Sequence, residues 1–492
     1  MSDKKLLLPV IISSIIIACF AIYYWNILPY GNISRWDEYF TLERSSNFLN
    51  KNDWLTVYTN QIPNFNKPPL QYWITAILIK NCDNLIFALR YWSYFFGLAL
   101  LASVGLLAYA INPKKPYVIP TAILIMSGSS LLWRYSISAM LDTGAAFFTT
   151  LTIASFIIAL RNPKWWYVTS VAIGFGTLQK SPLTLAVALL LFSLLIATNK
   201  IYSISIKNIF SNVHFKYSTI LMILLTTPWP LIQIIRYGKK YTKQAFIYQV
   251  YNRFIPTSDI SDIQTQWWQW IIRDDFLLWI PSIIAALFLI FYKKIEYAIP
   301  LFTFIAFSAI MTMASGEIHQ RYILQILPIL VAGFTVLLSE FMSNKASLLG
   351  GAIVLTFFAG QPFQTAASLE LDNNPQAQYL PYLREFAQSL KDDETPIRCF
   401  WGKNRGKIFP GAFHYYASNG RKFHEIYDPL ELQEVARPPY RGICPANQFQ
   451  ELNATWGGLQ VVSEFHGMVH WVSDKEIKQI ASTESPPTAM EQ

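Results

Sequence analysis

Apolar runs of near membrane length recur along this chain of 492 residues, near 6–25, 85–111, 117–133, 137–160, 167–178, 183–198, 217–235, 276–292, 298–314, 322–340 and 347–363. In hydrocarbon every backbone N–H and C=O must find its partner within the protein, so such runs are confined to helices. At 53% hydrophobic and 14% charged residues the chain is too apolar for a soluble protein. The predicted fold is an all-α polytopic membrane protein of about eleven or more transmembrane helices. The runs at 167–178 and 183–198 are short and separated only by Gln179, Lys180, Ser181 and Pro182. A kinked or re-entrant pair is the alternative to two spans there. The first run follows Lys4 and Lys5 without a small-residue cleavage site after it, which reads as a retained anchor with a cytoplasmic N-terminus.

Charge assigns the two faces. The connections Asn112–Pro116, Arg161–Lys164 and Lys200–Lys216, with Lys293, Lys294 and Lys345, are short, basic and almost free of acids, and are expected in the cytoplasm. The opposite face then receives the long loops at about 28–84 and 236–275 and everything after Gly360. From Thr365 onward 12 Lys+Arg stand against 16 Asp+Glu, a net of −4; the whole chain is +9, so the membrane part is +13. Membrane lipids with anionic head groups, or phosphates, are the partners this excess suits. Nucleic acid is not, since no soluble basic face or binding motif accompanies it.

The predicted organisation is a membrane domain over 1–364, a small α/β extramembrane domain over 365–480 and a frayed tail over 481–492. The second domain mixes a helical run, Gln376–Leu390, with β-rich runs at Ile397–Trp401 and Leu459–Val472. Four cysteines are too few for a disulfide scaffold, but Cys399 and Cys444 share this domain and are expected to form one bridge if it is exported.

Residues able to do chemistry gather on the predicted outer face. Asp37 and Glu38 in RWDEYF follow the first span, and acids are also ordinary in a first helical turn. Lys67 opens KPPLQYW, with Tyr72 and Trp73 placed to lie in the membrane interface. Asp142 is the single acid between Asp83 and Asp259. A carboxylate at that depth costs several kcal/mol, about 3 on insertion scales, unless paired or wet, which favours function over a helix-start acid about two to one. Lys180 in LQKSPL reads equally as a snorkelling lysine or a phosphate ligand. Arg253 in YNRF and Arg321 with Tyr322 in RYILQILP return to the same face. Singly each cation is an interfacial anchor; four together suit a group that departs as an anionic phosphate. His319 reads as an interface hydrogen-bonding residue, and no zinc spacing, Walker loop, dinucleotide fingerprint or nucleophile elbow is present. Energy is therefore expected from an activated substrate. No cofactor is required; the scattered carboxylates are compatible with a divalent cation without demanding one.

These segments, DE at Asp37–Glu38, NDWL ending at Leu55, KPPLQYW from Lys67, the Asp142 segment, LQKSPL, NRF and RYILQILP, occur over about residues 30–330 in family order. Together they resemble the lipid-linked-sugar-dependent glycosyltransferases of GT-C fold, in particular the aminoarabinose transferase and protein O-mannosyltransferase superfamily. The resemblance implies inverting transfer of a sugar from a polyprenyl phosphate donor to a lipid or glycan acceptor at the periplasmic face of a bacterial inner membrane, with an extramembrane C-terminal domain. The acceptor it favours is lipid A or another lipopolysaccharide or glycan component. A protein O-glycosyltransferase and a lipid or polysaccharide transporter are the alternatives. It further implies that Asp37 faces the acceptor while the carrier departs toward Lys67, Lys180, Arg253 and Arg321, with Asp142 organising the site directly or through Lys180. One departure sets this chain apart. Close relatives of the aminoarabinose enzyme carry Glu before KPP, and here the position is Asn66, which removes an acid that would meet a 4-amino sugar or a shared metal.

Overall fold

The computed structural model describes residues 4–29, 36–59, 62–180, 183–248, 269, 275–313, 320–342, 344–359, 397–400, 423–426, 440–465 and 468–473. Two compact units divide the chain: Met1–Gly31 with Phe40–Glu370, and Asn32–Tyr39 with Leu371–Gln492. The first contains the helices α1 (Lys4–Trp25), α2 (Trp36–Lys51, from Phe40), α3 (Leu70–Asn81), α4 (Leu85–Ile111), α5 (Val118–Ser127), α6 (Ser130–Ser136), α7 (Asp142–Ala159), α8 (Trp166–Gln179) and α9 (Leu183–Thr198). It continues through α10 (Ile206–Ser211), α11 (Val213–Thr226), α12 (Pro228–Tyr237), α13 (Lys239–Thr242), α14 (Phe276–Leu289), α15 (Ile295–Met313), α16 (Leu327–Phe341) and α17 (Lys345–Ala359). A two-stranded hairpin, β1 (Tyr58–Thr59) and β2 (Ile62–Pro63), lies between α2 and α3.

Among the described residues, five stretches are long and apolar enough to cross a membrane: Leu6–Trp25, Leu85–Ile111, Asp142–Ala159, Val213–Tyr237 and Ile295–Thr312. Shorter apolar helices cover Val118–Ser127, Leu183–Thr198, Leu277–Tyr292, Leu327–Phe341 and Lys345–Thr356. Every apolar run of the sequence therefore contains a helix, and the helical membrane architecture holds, with five rather than about eleven helices of full membrane length among the described residues. Several runs are not single continuous helices, among them 217–235, which breaks at Thr227. The run at 117–133 breaks at Gly128 and Ser129, where the Ser129 hydroxyl caps α6 by accepting from Leu132 N–H at 3.2 Å. The run at 137–160 becomes helical only at Asp142. The run at 322–340 starts as a 3-10 turn over Gln320–Gln325 before α16 begins. The loop expected over 28–84 likewise holds two helices, α2 and α3.

α4 and α7 are the most enclosed of the long spans, whereas α1 and α11–α12 turn most of their surface outward, as lipid-facing helices do. Aromatic rings pin α1 in place: Trp133 of α6 stacks on Phe20 at 5.2 Å and on Tyr24 at 4.0 Å. The Tyr94 hydroxyl of α4 donates to the Ala21 carbonyl at 2.6 Å.

The NDWL segment is a clasp between the first loop and α12. Leu55 O accepts from Trp229 Nε1 at 2.9 Å and Gln233 Nε2 at 2.7 Å, and Trp54 O accepts from Trp73 Nε1 at 2.6 Å. Asp53 takes the Arg236 guanidinium at 3.1 Å and the Tyr58 hydroxyl at 3.0 Å. Burial alone would raise the Asp53 carboxyl; hydrogen bonds from Leu55 N–H, Tyr58 and Arg236, with the Arg236 charge, outweigh it and hold the group below its ordinary 3.8. A group depressed in this way stabilises the fold above its unfolded value and ceases to as pH falls through the folded one. Asp53→Asn is accordingly expected to destabilise near neutral pH, by about 1 kcal/mol or less because the Arg236 partner is well exposed. The gap from wild type is expected to shrink as pH falls beneath the ordinary carboxylate range. Thermal unfolding at both pH values checks this, and a constant gap contradicts it.

In the second unit a five-stranded sheet runs in the order β4 (Phe423–Ile426), β3 (Ile397–Phe400), β5 (Tyr440–Pro445), β7 (Met468–Ser473) and β6 (Gln460–Phe465). β3 pairs parallel with β4 and β5, while β7 pairs antiparallel with β5 and β6. Helix α18 (Ala446–Trp456) follows β5 directly and packs Leu452 and Trp456 with Val469, Trp471 and Cys444. The expected strands at 397–401 and 459–472 are present, the second as a hairpin; the expected helix at 376–390 and the tail at 481–492 lie outside the described residues.

The expected Cys399–Cys444 bridge is not formed, since Cys444 is a free, buried thiol. Register explains this: Cys399 pairs with Ile443, and successive strand residues face opposite ways, so Cys444 leaves on the other face from Ile443. Burial pushes the Cys444 thiol up to about 12.

Candidate functional site

The five residues between α6 and α7, Ile137 to Leu141, are not helical, and α7 opens on Asp142 itself. A helix start leaves backbone N–H groups unpaired and favours a negative charge, so a carboxylate suits the position. It is 2% exposed, which demands a counter-charge as well. Lys180 supplies it from the end of α8: its ammonium pairs directly with Asp142 Oδ1. Arg321, on the 3-10 turn before α16, places Nε 3.8 Å from Asp142 Oδ2. The Tyr322 ring lies 4.8 Å from the Lys180 ammonium and 5.9 Å from the Arg321 guanidinium, within cation–π range of both.

Four predicted residues from three distant stretches, Asp142, Lys180, Arg321 and Tyr322, thus form one cluster, buried except for the partly exposed Arg321. The snorkelling reading of Lys180 is set aside, because its ammonium turns inward to a carboxylate. Two cations share one carboxylate here. That leaves a formal excess of positive charge, which suits an anionic group such as a phosphate.

Asp37 and Glu38 form the first turn of α2, Glu38 fully buried and Asp37 partly so. They fall within the Asn32–Tyr39 segment of the second unit. Lys67 is half-buried on the turn into α3. One helical turn on, Gln71 accepts at Oε1 from Gln179 Nε2 at 2.6 Å, tying the Lys67 segment to the Lys180 segment. Tyr72 is wholly enclosed by protein, and its hydroxyl accepts from Arg44 Nη1 at 2.8 Å. Arg253 and His319 lie outside the described residues. Among the described residues no three His, Cys, Asp or Glu side chains gather as metal ligands.

Sequence reading passed over several buried polar residues. Arg90 of α4 is 2% exposed although it sits in an apolar run; the signal for it is an arginine that lipid would not tolerate unless it faced protein. Asp275, at the start of α14, accepts from the Ser129 and Ser130 hydroxyls at 2.6 and 2.9 Å and from Ser130 N–H at 3.1 Å, which fixes the α5–α6 break. Gln71, Gln179 and Gln325 are uncharged, and nothing local marks them.

With this geometry in hand, the comparisons with known proteins are specific. Residues 10–237 match the family described as dolichyl-phosphate-mannose-protein mannosyltransferase. A curated relative, the undecaprenyl phosphate-α-4-amino-4-deoxy-L-arabinose arabinosyl transferase of Wigglesworthia glossinidia brevipalpis, is 26% identical over 178 residues, 35% of this chain. That match spans about a third of the relative's length, 32%. The crystal structure of ArnT from Cupriavidus metallidurans bound to undecaprenyl phosphate is similar with a TM-score of 0.72 at 14% identity, covering 96% of this chain and 98% of that one. Its apo form gives the same TM-score of 0.72 over 93% and 97%. The oligosaccharyltransferase of Archaeoglobus fulgidus is similar at a TM-score of 0.57 and 9% identity, over 93% of this chain and 73% of that one.

Proposed function

We propose that this chain, whose residues 10–237 match the dolichyl-phosphate-mannose-protein mannosyltransferase family and whose fold is similar to that of ArnT, is a glycosyltransferase of the GT-C type that moves a sugar from a polyprenyl phosphate carrier to an envelope acceptor. The acceptor is lipid A or another lipopolysaccharide or glycan component, and the reaction takes place at the periplasmic face of a bacterial inner membrane. The observation that carries the reading is the largely buried group of Asp142, Lys180, Arg321 and Tyr322. A lysine and an arginine so held are suited to a phosphate that gains charge as it leaves. The membrane setting accounts for the carrier, since a polyprenyl chain keeps its phosphate at the bilayer surface.

The reaction is a single inverting displacement. An acceptor oxygen bonds to the anomeric carbon as the bond from that carbon to the phosphate oxygen breaks, and its electron pair departs with the polyprenyl phosphate. Lys180 and Arg321, joined by Lys67 and Arg253, compensate the charge on the departing oxygens, while Asp142 aligns the two cations. A hydroxyl acceptor must also lose a proton, which Asp37 takes as general base. A phosphate acceptor is already nucleophilic, and Asp37, beside Glu38, then orients it.

Mass spectrometry of lipid A, other envelope glycans and envelope proteins, from cells with and without the chain, tests the proposal. A sugar mass missing from a lipid or glycan in the deficient cells is the expected result. A sugar mass missing from proteins instead would move the acceptor to the class that the matched family's name describes. Identical masses in every fraction would overturn glycosyl transfer and leave transport of a lipid or polysaccharide as the reading.

A further inference from the structure

The backbone that leads into Asp142 is held by side chains from other elements. Ala139 O accepts from Thr41 Oγ1 of α2 at 2.9 Å. Met140 O accepts from Ser93 Oγ of α4 at 2.8 Å and from Gln71 Nε2 of α3 at 3.4 Å. Leu141 O accepts from Gln179 Nε2 of α8 at 3.2 Å, and Asp142 O from Gln325 Nε2 at 3.1 Å. Gln71 also donates to Ser93 Oγ at 3.0 Å, so three of these donors are linked to one another. The order of the contacts matters. Gln179 grips Leu141 while its neighbour Lys180 grips Asp142, so the last residue of α8 and the one after it hold two adjacent residues at the head of α7. Arg321 and Gln325 repeat the pattern from the 3-10 turn, one addressing the carboxylate of Asp142 and the other its carbonyl.

We propose that Gln179, supported by Gln71 and Gln325, is a positioning residue that sets where Lys180 and Arg321 stand relative to the Asp142 carboxylate. The inference rests on the glycosyl-transfer reading for its catalytic consequence but not for its geometric one. An ion pair alone leaves a long lysine many geometries; a neighbouring amide bound to the adjacent carbonyl removes most of them. Packing does not explain the choice of glutamine. Gln179 is fully buried and Gln325 is 2% exposed, yet among the described residues Oε1 of each has no hydrogen-bond partner. An orphaned buried amide oxygen is destabilising, and a methionine of like length would fill the space without one. The fit is close as well. A Cβ added at Gly144 would meet Gln179 Cδ at 2.7 Å and Phe96 Cδ2 at 2.8 Å, so even one methyl there must displace the amide.

The test uses full-length protein in detergent, with Gln179→Met, Gln325→Met and Gly144→Ala variants. Lys180 is labelled with an amine-reactive anhydride and quantified by peptide mass spectrometry. Lys115, which pairs with Glu340 elsewhere in the fold, is the internal reference. Lys180 labelling is expected to rise several-fold relative to Lys115 in Gln179→Met and in Gly144→Ala, with a smaller rise in Gln325→Met. An unchanged ratio in Gly144→Ala and Gln179→Met overturns the inference whether or not the protein transfers sugar. Should Gln179→Met fail to fold, Gly144→Ala, which retains the glutamine, decides by the same ratio. In transfer assays kcat is expected to fall about tenfold to a hundredfold with acceptor KM unchanged. A raised labelling ratio beside a wild-type protein that transfers nothing would refute the glycosyl-transfer reading and leave the positioning intact.

Discussion

Lys180→Met is expected to lower turnover by about 10²–10³-fold, the usual loss when one preorganised donor to a developing oxyanion is removed. The fold should survive this change, because Arg321 still faces the Asp142 carboxylate at 3.8 Å. The reverse substitution separates stability from catalysis. Asp142→Leu alone leaves the Lys180 ammonium buried without its carboxylate, at a cost of about 3–5 kcal/mol. Combining it with Lys180→Met removes both charges of that pair but leaves Arg321 without its carboxylate, and is expected to restore part of the stability while transfer stays absent. Unfolding midpoints of the four proteins together with their turnover make the measurement. Wild-type turnover in Lys180→Met would remove the cluster from the chemistry.

The second large effect concerns the first turn of α2. Asp37→Asn is expected to cost about 10²–10⁴-fold in transfer to a hydroxyl acceptor, the range of a positioned general base. Lys67→Ala is expected to abolish transfer through loss of a phosphate contact, with membrane expression intact in both variants. Mass spectrometry of the acceptor lipid in complemented cells reads the outcome. Wild-type modification in either strain would show that the residue takes no part. The two substitutions differ informatively: Asp37→Asn should matter less when the acceptor is itself a phosphate, whereas Lys67→Ala should not depend on the acceptor.

How far the site was legible depended on the kind of residue. Asp142 stood out because a carboxylate is expensive in an apolar run, and Lys180 and Arg321 because they recur at span ends. Their mutual pairing could not be read, since 38 residues separate Asp142 from Lys180 and no local rule links them. The enclosure of Tyr72 was hidden for the same reason. An aromatic–lysine motif looks interfacial in sequence, and only the neighbouring Arg44 reveals that the hydroxyl is buried. The Cys399–Cys444 pair shows a further limit: domain membership suggested a bridge, and strand register placed Cys444 on the wrong face for one. The glutamines gave no signal at all. A neutral amide carries no charge to be balanced and matches any polar or interfacial position, so its role appears only with the carbonyl it holds.

Hydropathy and charge alone thus determined that this chain is a bundle of membrane helices with a small α/β unit after it, because apolar length and backbone hydrogen bonding leave a run of about twenty residues few other choices in lipid. Which helices break, where α7 begins, and which cations meet Asp142 were decided by tertiary structure. Those outcomes turn on carbonyls at 139–142 being claimed by side chains from α2, α3, α4, α8 and the 320–325 turn, partners that adjacency in space supplies and adjacency in sequence does not.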